Sequence, residues 1–207
     1  RAYVLTEQVS LAVRRGESAE ALALSELAVA EADRSEDVDR RGLARAIRAR
    51  ALAMAGEPER ASQELLDARL LAADCSVRTR AQLAATAALA AAIRGDLGDA
   101  LDGFVEAARL HRSHGDLRRA AAIEGNLADS DNRIGAFDAA EGALLESLAA
   151  SRRVGSRQNE GYVLANLWHA RAQLGRIDEA LETLADAEAV AGQSSDARLA
   201  AWVRFYR

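Results

Sequence analysis

Apolar residues recur along this chain every three to four positions, in long stretches separated by short polar or glycine-containing breaks. That spacing is the period of an amphipathic helix, and it predicts helices in pairs. The first member of each pair (helix A) is expected near residues 2–15, 39–55, 78–94, 117–134 and 157–174. The second (helix B) is expected near 18–33, 58–73, 97–112, 137–152 and 177–191, and residues 197–207 begin a sixth A helix. A glycine divides each pair, at Gly16, Gly56, Gly95, Gly135 and Gly175, with spacings of 40, 39, 40 and 40 residues. A fixed period of this length marks an array of helical repeats. The repeats run approximately 1–37, 38–76, 77–116, 117–156 and 157–196, all within one domain, 1–207, that reads as a piece of a longer protein.

Three rows keep register with the glycines. Five residues after each stand Ala21, Ala61, Ala100, Ala140 and Ala180, and twelve after stand Ala28, Ala68, Ala107, Ser147 and Ala187. Nine after, on the same helical face, stand Ser25, Leu65, Phe104, Leu144 and Leu184. Small residues two turns apart let antiparallel helices approach to about 8 Å, and the larger residue between them fills the remaining space. Glycine suits the A–B turn because positive φ costs it little. Glu17, Glu57 and Asp96 follow three of these glycines, where the next helix presents free N–H groups, and Pro58 fits a first helical turn. Asp116 and Ser156 are expected N-caps.

Composition narrows the function. Alanine supplies about a quarter of the residues, aromatics only 4%, and proline occurs once. Every one of the 27 basic residues is arginine, a coding bias that points to a GC-rich bacterial genome. Net charge is -5, which disfavours direct nucleic-acid binding, a process dominated by phosphate neutralisation. No apolar run nears the roughly 20 residues of a membrane span, and the lone Cys75 precludes an internal disulfide. A cytoplasmic location is expected.

Helix pairs with a glycine at the A–B turn and alanines five and twelve residues later resemble the tetratricopeptide repeat. The likeness is strongest in Asn126 to Ala140 and Leu164 to Ala180. The period of about 40 is similar to the long-helix variants in kinesin light chains, LGN-like scaffolds and the sensor arms of bacterial ATPase-coupled transcription regulators. Repeats 1 to 3 depart from the pattern in helix A, where the expected leucine is Gln8, Arg48 or Ala87. The resemblance implies an all-α solenoid of five such repeats plus a partial sixth, wound as a right-handed superhelix.

It also implies a concave wall lined by residues 13, 10, 9, 6, 3 and 2 positions before each glycine. These are Ala122, Gly125, Asn126, Asp129, Asn132 and Arg133 in repeat 4, and Tyr162, Ala165, Asn166, His169, Ala172 and Gln173 in repeat 5. Repeat 3 places Gln82, Ala85, Thr86, Leu89, Ala92 and Ile93 there, and repeat 2 places Leu43, Ala46, Ile47, Arg50, Ala53 and Met54. The wall would thus pass from apolar to hydrogen-bonding. The candidate binding set is Asn126, Asp129, Arg133, Tyr162, Asn166 and His169, with Gln173 and Arg50 at its margins. Asparagine can grip a peptide backbone through its paired donor and acceptor, or simply tie neighbouring helices together. Trp168 is expected in the core. Trp202, Phe205 and Tyr206 form an aromatic group on the last helix.

Nothing in the sequence carries catalysis. Cys75 has no histidine near it to act as a base. His111 and His114 offer two metal ligands where a stable site needs three or four. Asp129, Asp131 and Gly135 only faintly echo a calcium loop and fall inside a helix. Phosphate-binding glycine loops, G-x-S-x-G and H-E-x-x-H are absent. The expectation is a non-catalytic module, without cofactor or metal, that binds a peptide or protein segment in its groove. The alternatives are a sensing arm of a bacterial regulator, responding to a small molecule or a partner protein, and a structural spacer or oligomerisation arm.

Overall fold

The computed structural model describes residues 2–193 and 196–205. Among them are eleven α-helices, one short 3-10 turn and no strand. The A helices are α1 (Ala2–Arg15), α3 (Val38–Met54), α5 (Val77–Arg94), α7 (Leu117–Arg133) and α9 (Arg157–Gln173). The B helices are α2 (Ser18–Asp33), α4 (Pro58–Arg69), α6 (Leu97–Ser113), α8 (Phe137–Arg153) and α10 (Ile177–Gly192). Helix α11 (Ala197–Phe205) follows. The chain divides into two compact units, one ending at Gly115 and the other starting at Asp116, in the joint between repeats 3 and 4.

The three rows explain how each pair closes. Every member of the +5, +9 and +12 rows is buried, and Ala61, Ala100, Ala140, Leu144 and all of the +12 row show no exposure. Ser147, the one +12 residue that is not alanine, spends its hydroxyl on the carbonyl of Ala121, 2.9 Å away on α7. Within the first unit α3 packs on α1 and α5 on α3; within the second, α9 packs on α7 and α11 on α9. Phe104 and Leu144 are fully buried, each stabilising the fold by about 2 to 3 kcal/mol.

The five A–B turns share one geometry. Each glycine has positive φ, between 75° at Gly175 and 90° at Gly95. The N–H of the next residue bonds back to the carbonyl five positions earlier, as Glu57 to Leu52 at 2.9 Å and Arg176 to Arg171 at 2.9 Å. This is a Schellman ending, and it satisfies carbonyls that would otherwise lack partners.

The caps meet expectation at Asp116 and depart from it elsewhere. Asp37 and Asp116 each accept from the backbone N–H three residues on, at 3.1 Å. Glu17, Glu57, Asp96 and Ser156 occupy cap positions but accept no such bond. Glu57 and Asp96 instead pair with Arg60 and Arg94. Any benefit they bring to the helix start is therefore electrostatic.

Helix α4 is also shorter than predicted. It stops at Arg69, and a 3-10 turn, Ala72–Asp74, follows where helix to residue 73 was expected. Asp39 on α3 accepts from the backbone N–H of Ser76 at 2.8 Å and from its hydroxyl at 2.9 Å. Cys75 tucks into the core beside this anchor. These contacts tie the chain to α3 just before α5 begins.

Candidate functional site

The site lies in the second unit, on α7, α9 and α11. Register alone brings its residues together: α7 and α9 are consecutive A helices, so equivalent positions stand side by side. A small cavity of about 50 Å³ is lined by Gly125, Asn126 and Asp129 of α7, by Asn159, Tyr162, Val163 and Asn166 of α9, and by Trp202 of α11. Four members of the expected binding set, Asn126, Asp129, Tyr162 and Asn166, thus surround one space. Arg133 is exposed and His169 half-buried, and both act electrostatically on Asp129. Gln173 is exposed at the end of α9, and Arg50 is half-buried on α3 in the first unit.

Exposure separates the expected wall positions. Those ten before the glycine, Ala46, Ala85, Gly125 and Ala165, are all buried, so they are spacers between helices and not wall. Three before, Ala53, Ala92 and Asn132 are buried as well. The positions six before (Arg50, Leu89, Asp129, His169) are half-exposed in every one of these repeats. The exposed or half-exposed wall therefore narrows to the residues 6 and 2 before the turn, with Leu43, Ala122, Tyr162 and Asn126, while Asn166 lines the cavity from a buried position.

The two asparagines, equivalent in register, differ in environment. Asn126 is exposed, whereas Asn166 is only 6% exposed, because α9 has α7 on one side and α11 on the other. The tie between the helices comes from a third residue. Asn132 donates its side-chain N–H to the backbone carbonyl of Asn166 at 3.0 Å, and its own Oδ1 is buried without a partner. The sequence held a signal for it: Val13, Ala53, Ala92 and Ala172 fill the same row.

Around Asp129, burial pushes the carboxyl above the usual aspartate range while Arg133 and His169 pull the other way. The His169 ring sits edge-on to Phe137, with centroids 6.0 Å apart. Tyr162 donates its hydroxyl to the Asp196 carboxylate at 3.2 Å and stacks obliquely on Trp202, with centroids 5.5 Å apart. Asp196 is itself held by the backbone N–H groups of Arg198 and Leu199, both at 3.0 Å. Trp202 was not in the expected set, yet it stands 40 residues after Tyr162 and inherits its position from the period. Trp168 packs half-buried against the core cluster, as expected. Phe205 is exposed, and Tyr206 lies outside the described residues.

Chemically, the arrangement offers an amide that both donates and accepts, a carboxylate and two aromatic faces. A space of 50 Å³ admits a water or a single backbone group, not a whole small molecule. A segment laid across the site would be gripped at one such point.

Of the residues considered for other chemistry, His111 and His114 meet a third possible metal ligand that the sequence reading did not join to them, Asp116, with the ligand atoms of all three within 4.8 Å of one another. The Cys75 thiol is buried and its pKa raised, chiefly by desolvation and then by Asp39 and Asp74; Sγ lies 3.6 Å from the carbonyl of Val38. His114 Nδ1 lies 2.7 Å from the Leu110 carbonyl, with its ring centroid 5.4 Å from that of His111. Asp129 and Asp131 stand on helix α7. A buried cluster missed by the sequence reading joins α8, α9 and α10. Glu141, 7% exposed, accepts from Arg171 Nε at 3.1 Å and from Arg176, and Arg171 also donates to Thr183 at 2.7 Å.

No family model matches the sequence, and no curated protein sequence matches it. Solved structures do: the fold is that of the tetratricopeptide-like helical repeats. One similar structure is Bacillus thuringiensis PlcR in complex with the peptide PapR7 and DNA (TM-score 0.77, 14% identity, covering 92% of this chain and 70% of that one). A second is the signal transduction ATPase with a tetratricopeptide repeat sensor from Pyrococcus horikoshii (TM-score 0.73, 17% identity, 100% and 30%). A third is a Rap protein complexed with competence and sporulation factor (TM-score 0.73, 18% identity, 99% and 61%). The chain spans less than a third of the ATPase and about three fifths of the Rap protein. Among the described residues no helix is long and apolar enough to cross a membrane.

Proposed function

We propose that this chain is a non-catalytic interaction module that binds a peptide or protein segment on the α7–α9 face of its second unit. The observation that carries the reading is the convergence of Asn126, Asp129, Tyr162 and Asn166, with Trp202, on one small polar cavity. Arg133, His169 and Gln173 extend the surface along the same helices, and Arg50 repeats the register of Asp129 and His169 in repeat 2. A bound segment is held mainly by hydrogen bonds to its backbone and by packing on Tyr162 and Trp202. One similar structure, PlcR, holds the peptide PapR7, and another, the Rap protein, holds competence and sporulation factor, which supports this class of partner. We read the two units as one repeat array, since the period runs unbroken from Gly95 to Gly135. The module works in the cytoplasm without cofactor or metal, and its net charge of -5 argues against direct contact with nucleic acid.

A second reading is a sensing arm of a bacterial regulator, in which binding at this face alters an attached domain. It is favoured by the likeness of the whole chain to part of an ATPase whose repeats are described as a sensor.

The test is to pan a displayed random heptapeptide library on the purified chain and titrate the enriched peptides. Asn126→Ala with Asp129→Asn should weaken them at least tenfold, and Glu182→Ala on α10 should not. Failure to enrich any peptide, or equal affinity for the double variant and the control with folding intact, would overturn the proposal.

A further inference from the structure

A cavity of about 720 Å³ lies within the first unit, walled by α4 and α6 over a floor formed by α5. The floor is Ala84, Ala87, Ala88 and Ala91, on a different face of α5 from the wall positions described above. Two features of the sequence open it. Helix α4 has 12 residues where the other B helices have 16 or 17, so one wall stops early. The floor residues are also small: 80 residues later, in the same register, repeat 5 has Leu164, Leu167, Trp168 and Arg171. There Leu164 and Leu167 are each 2% exposed, so in repeat 5 the corresponding side chains are packed away. In repeat 3, alanine leaves the volume open.

The cavity also has electrical poles. Helices α5 and α6 are antiparallel, so Arg69 and Arg80 sit where α5 begins, and Asp99 and Asp102 where α6 begins, near Arg94, whose guanidinium is already bonded to Asp96 and Ser62. Among the described residues none of these four side chains takes part in a hydrogen bond or a salt bridge, though Arg80 acts electrostatically on Glu106. Glu106 and Arg109, between the poles, neutralise each other through two bonds of 2.7 Å. From Arg80 to Arg94 the floor is about 21 Å long at the helical rise of roughly 1.5 Å per residue.

We propose that this crevice docks an amphipathic helix of a partner protein, with an acidic first turn, a basic last turn and one stripe of large apolar side chains. All three walls are helices whose backbone groups bond within themselves, so an extended segment finds no edge to pair with. A helix brings its own backbone bonds satisfied. Its leucines enter the space over the alanine floor, its acids meet Arg69 and Arg80, and its bases meet Asp99 and Asp102. That order of charge is also the one an isolated helix prefers, because it complements the macrodipole. The site is separate from the α7–α9 face and stands or falls independently of it.

The experiment measures fluorescence anisotropy of a labelled sixteen-residue peptide titrated with the whole chain. The peptide has two glutamates in its first turn, two lysines in its last and leucines at positions 3, 7, 10 and 14. Saturable binding is expected, weakened at least tenfold by Ala84→Leu with Ala87→Leu, which fills the floor. Arg69→Gln with Arg80→Gln, and Asp99→Asn with Asp102→Asn, alter exposed side chains only and should each weaken it about fivefold or more. Asn126→Ala should leave it unchanged, and a peptide of the same composition interrupted by two prolines should not bind. Absence of saturable binding, equal affinity for both charge variants and the parent, or equal affinity for the proline peptide overturns the proposal.

Discussion

Gly103 offers a direct measure of how closely the paired helices approach. It lies on α6 against Ala88 of α5, and a Cβ built on it would stand 2.9 Å from the Ala88 Cβ and 3.3 Å from its Cα. Carbon atoms prefer about 3.5 to 4.0 Å, so Gly103→Ala requires the two helices to separate by roughly half an ångström or more. The contact is with backbone and with a side chain that has no rotamer to change, so relief is costly, about 1 to 3 kcal/mol. Against this, replacing a mid-helix glycine by alanine gains about 1 kcal/mol of helix propensity. The net expectation runs from no change to about 2 kcal/mol of destabilisation. Gly142 on α8 supplies the reference, because a Cβ there meets nothing within 4 Å and Gly142→Ala keeps the full propensity gain. Thermal melts by far-UV circular dichroism should place Gly142→Ala above the parent and Gly103→Ala at or below it. At roughly 2 to 4 °C per kcal/mol for a chain of this size, the two variants should differ by several degrees. If Gly103→Ala stabilises as much as Gly142→Ala, the close approach is not real and the small-residue argument for every helix pair fails with it.

Three further outcomes are expected. Glu141→Ala should destabilise the second unit by about 3 kcal/mol, because Arg171 and Arg176 lose a buried partner; tryptophan fluorescence of Trp168 and Trp202 during urea unfolding measures it, and a loss under 1 kcal/mol would contradict it. Burial would raise the Glu160 carboxyl, but hydrogen bonds from Arg152 and Arg157 outweigh that and hold its pKa below the usual glutamate value. Its stabilisation is therefore present above the unfolded pKa and lost as pH falls through the folded one, so the melting gap between parent and Glu160→Gln should close between about pH 5 and pH 3 and stay open above. Asp129 is shifted the other way, so its ionised form is penalised in the folded state at neutral pH. Asp129→Asn should raise the melting temperature at pH 7 and lose that advantage in acid; a fall at pH 7 would show that the pull of Arg133 and His169 exceeds the cost of burial.

Helix pairing was legible from the sequence because it rests on local chemistry repeated five times: a glycine that adopts positive φ and small residues at fixed offsets. Helix ends set by contacts far along the chain were not. The early stop of α4 is followed by a tie between Asp39 and Ser76, 37 positions apart, and nothing around Arg69 announces either. For the site, register put Asn126, Asp129, Tyr162 and Asn166 side by side, but it could not say which wall positions neighbouring helices cover. Gly125 and Asn132 read as wall and are buried. The Glu141 cluster left a trace: Glu141 stands in a row where repeats 1, 3 and 5 hold Leu22, Leu101 and Leu181, and Arg171 stands in one that holds Ala12, Leu52 and Ala91. A charge in a mostly apolar row was the available clue, though Ser62 and Asp131 in the same two rows weaken it.

The placement of Cys75 makes the chain its own reporter of local opening. It is the sole thiol, it belongs to the first unit, and only 6% of it is exposed. Reaction with a disulfide reagent must wait until α5 lifts from α3. Under conditions where closing outpaces reaction, the ratio of the observed rate to that of a free thiol gives the free energy of that opening in native buffer, with no denaturant. Because the second unit contains no cysteine, the measurement isolates one half of the chain. Any ligand that binds only the closed first unit should slow the labelling in proportion to its occupancy, and a ligand confined to α7 and α9 should slow it only if the two units are energetically coupled.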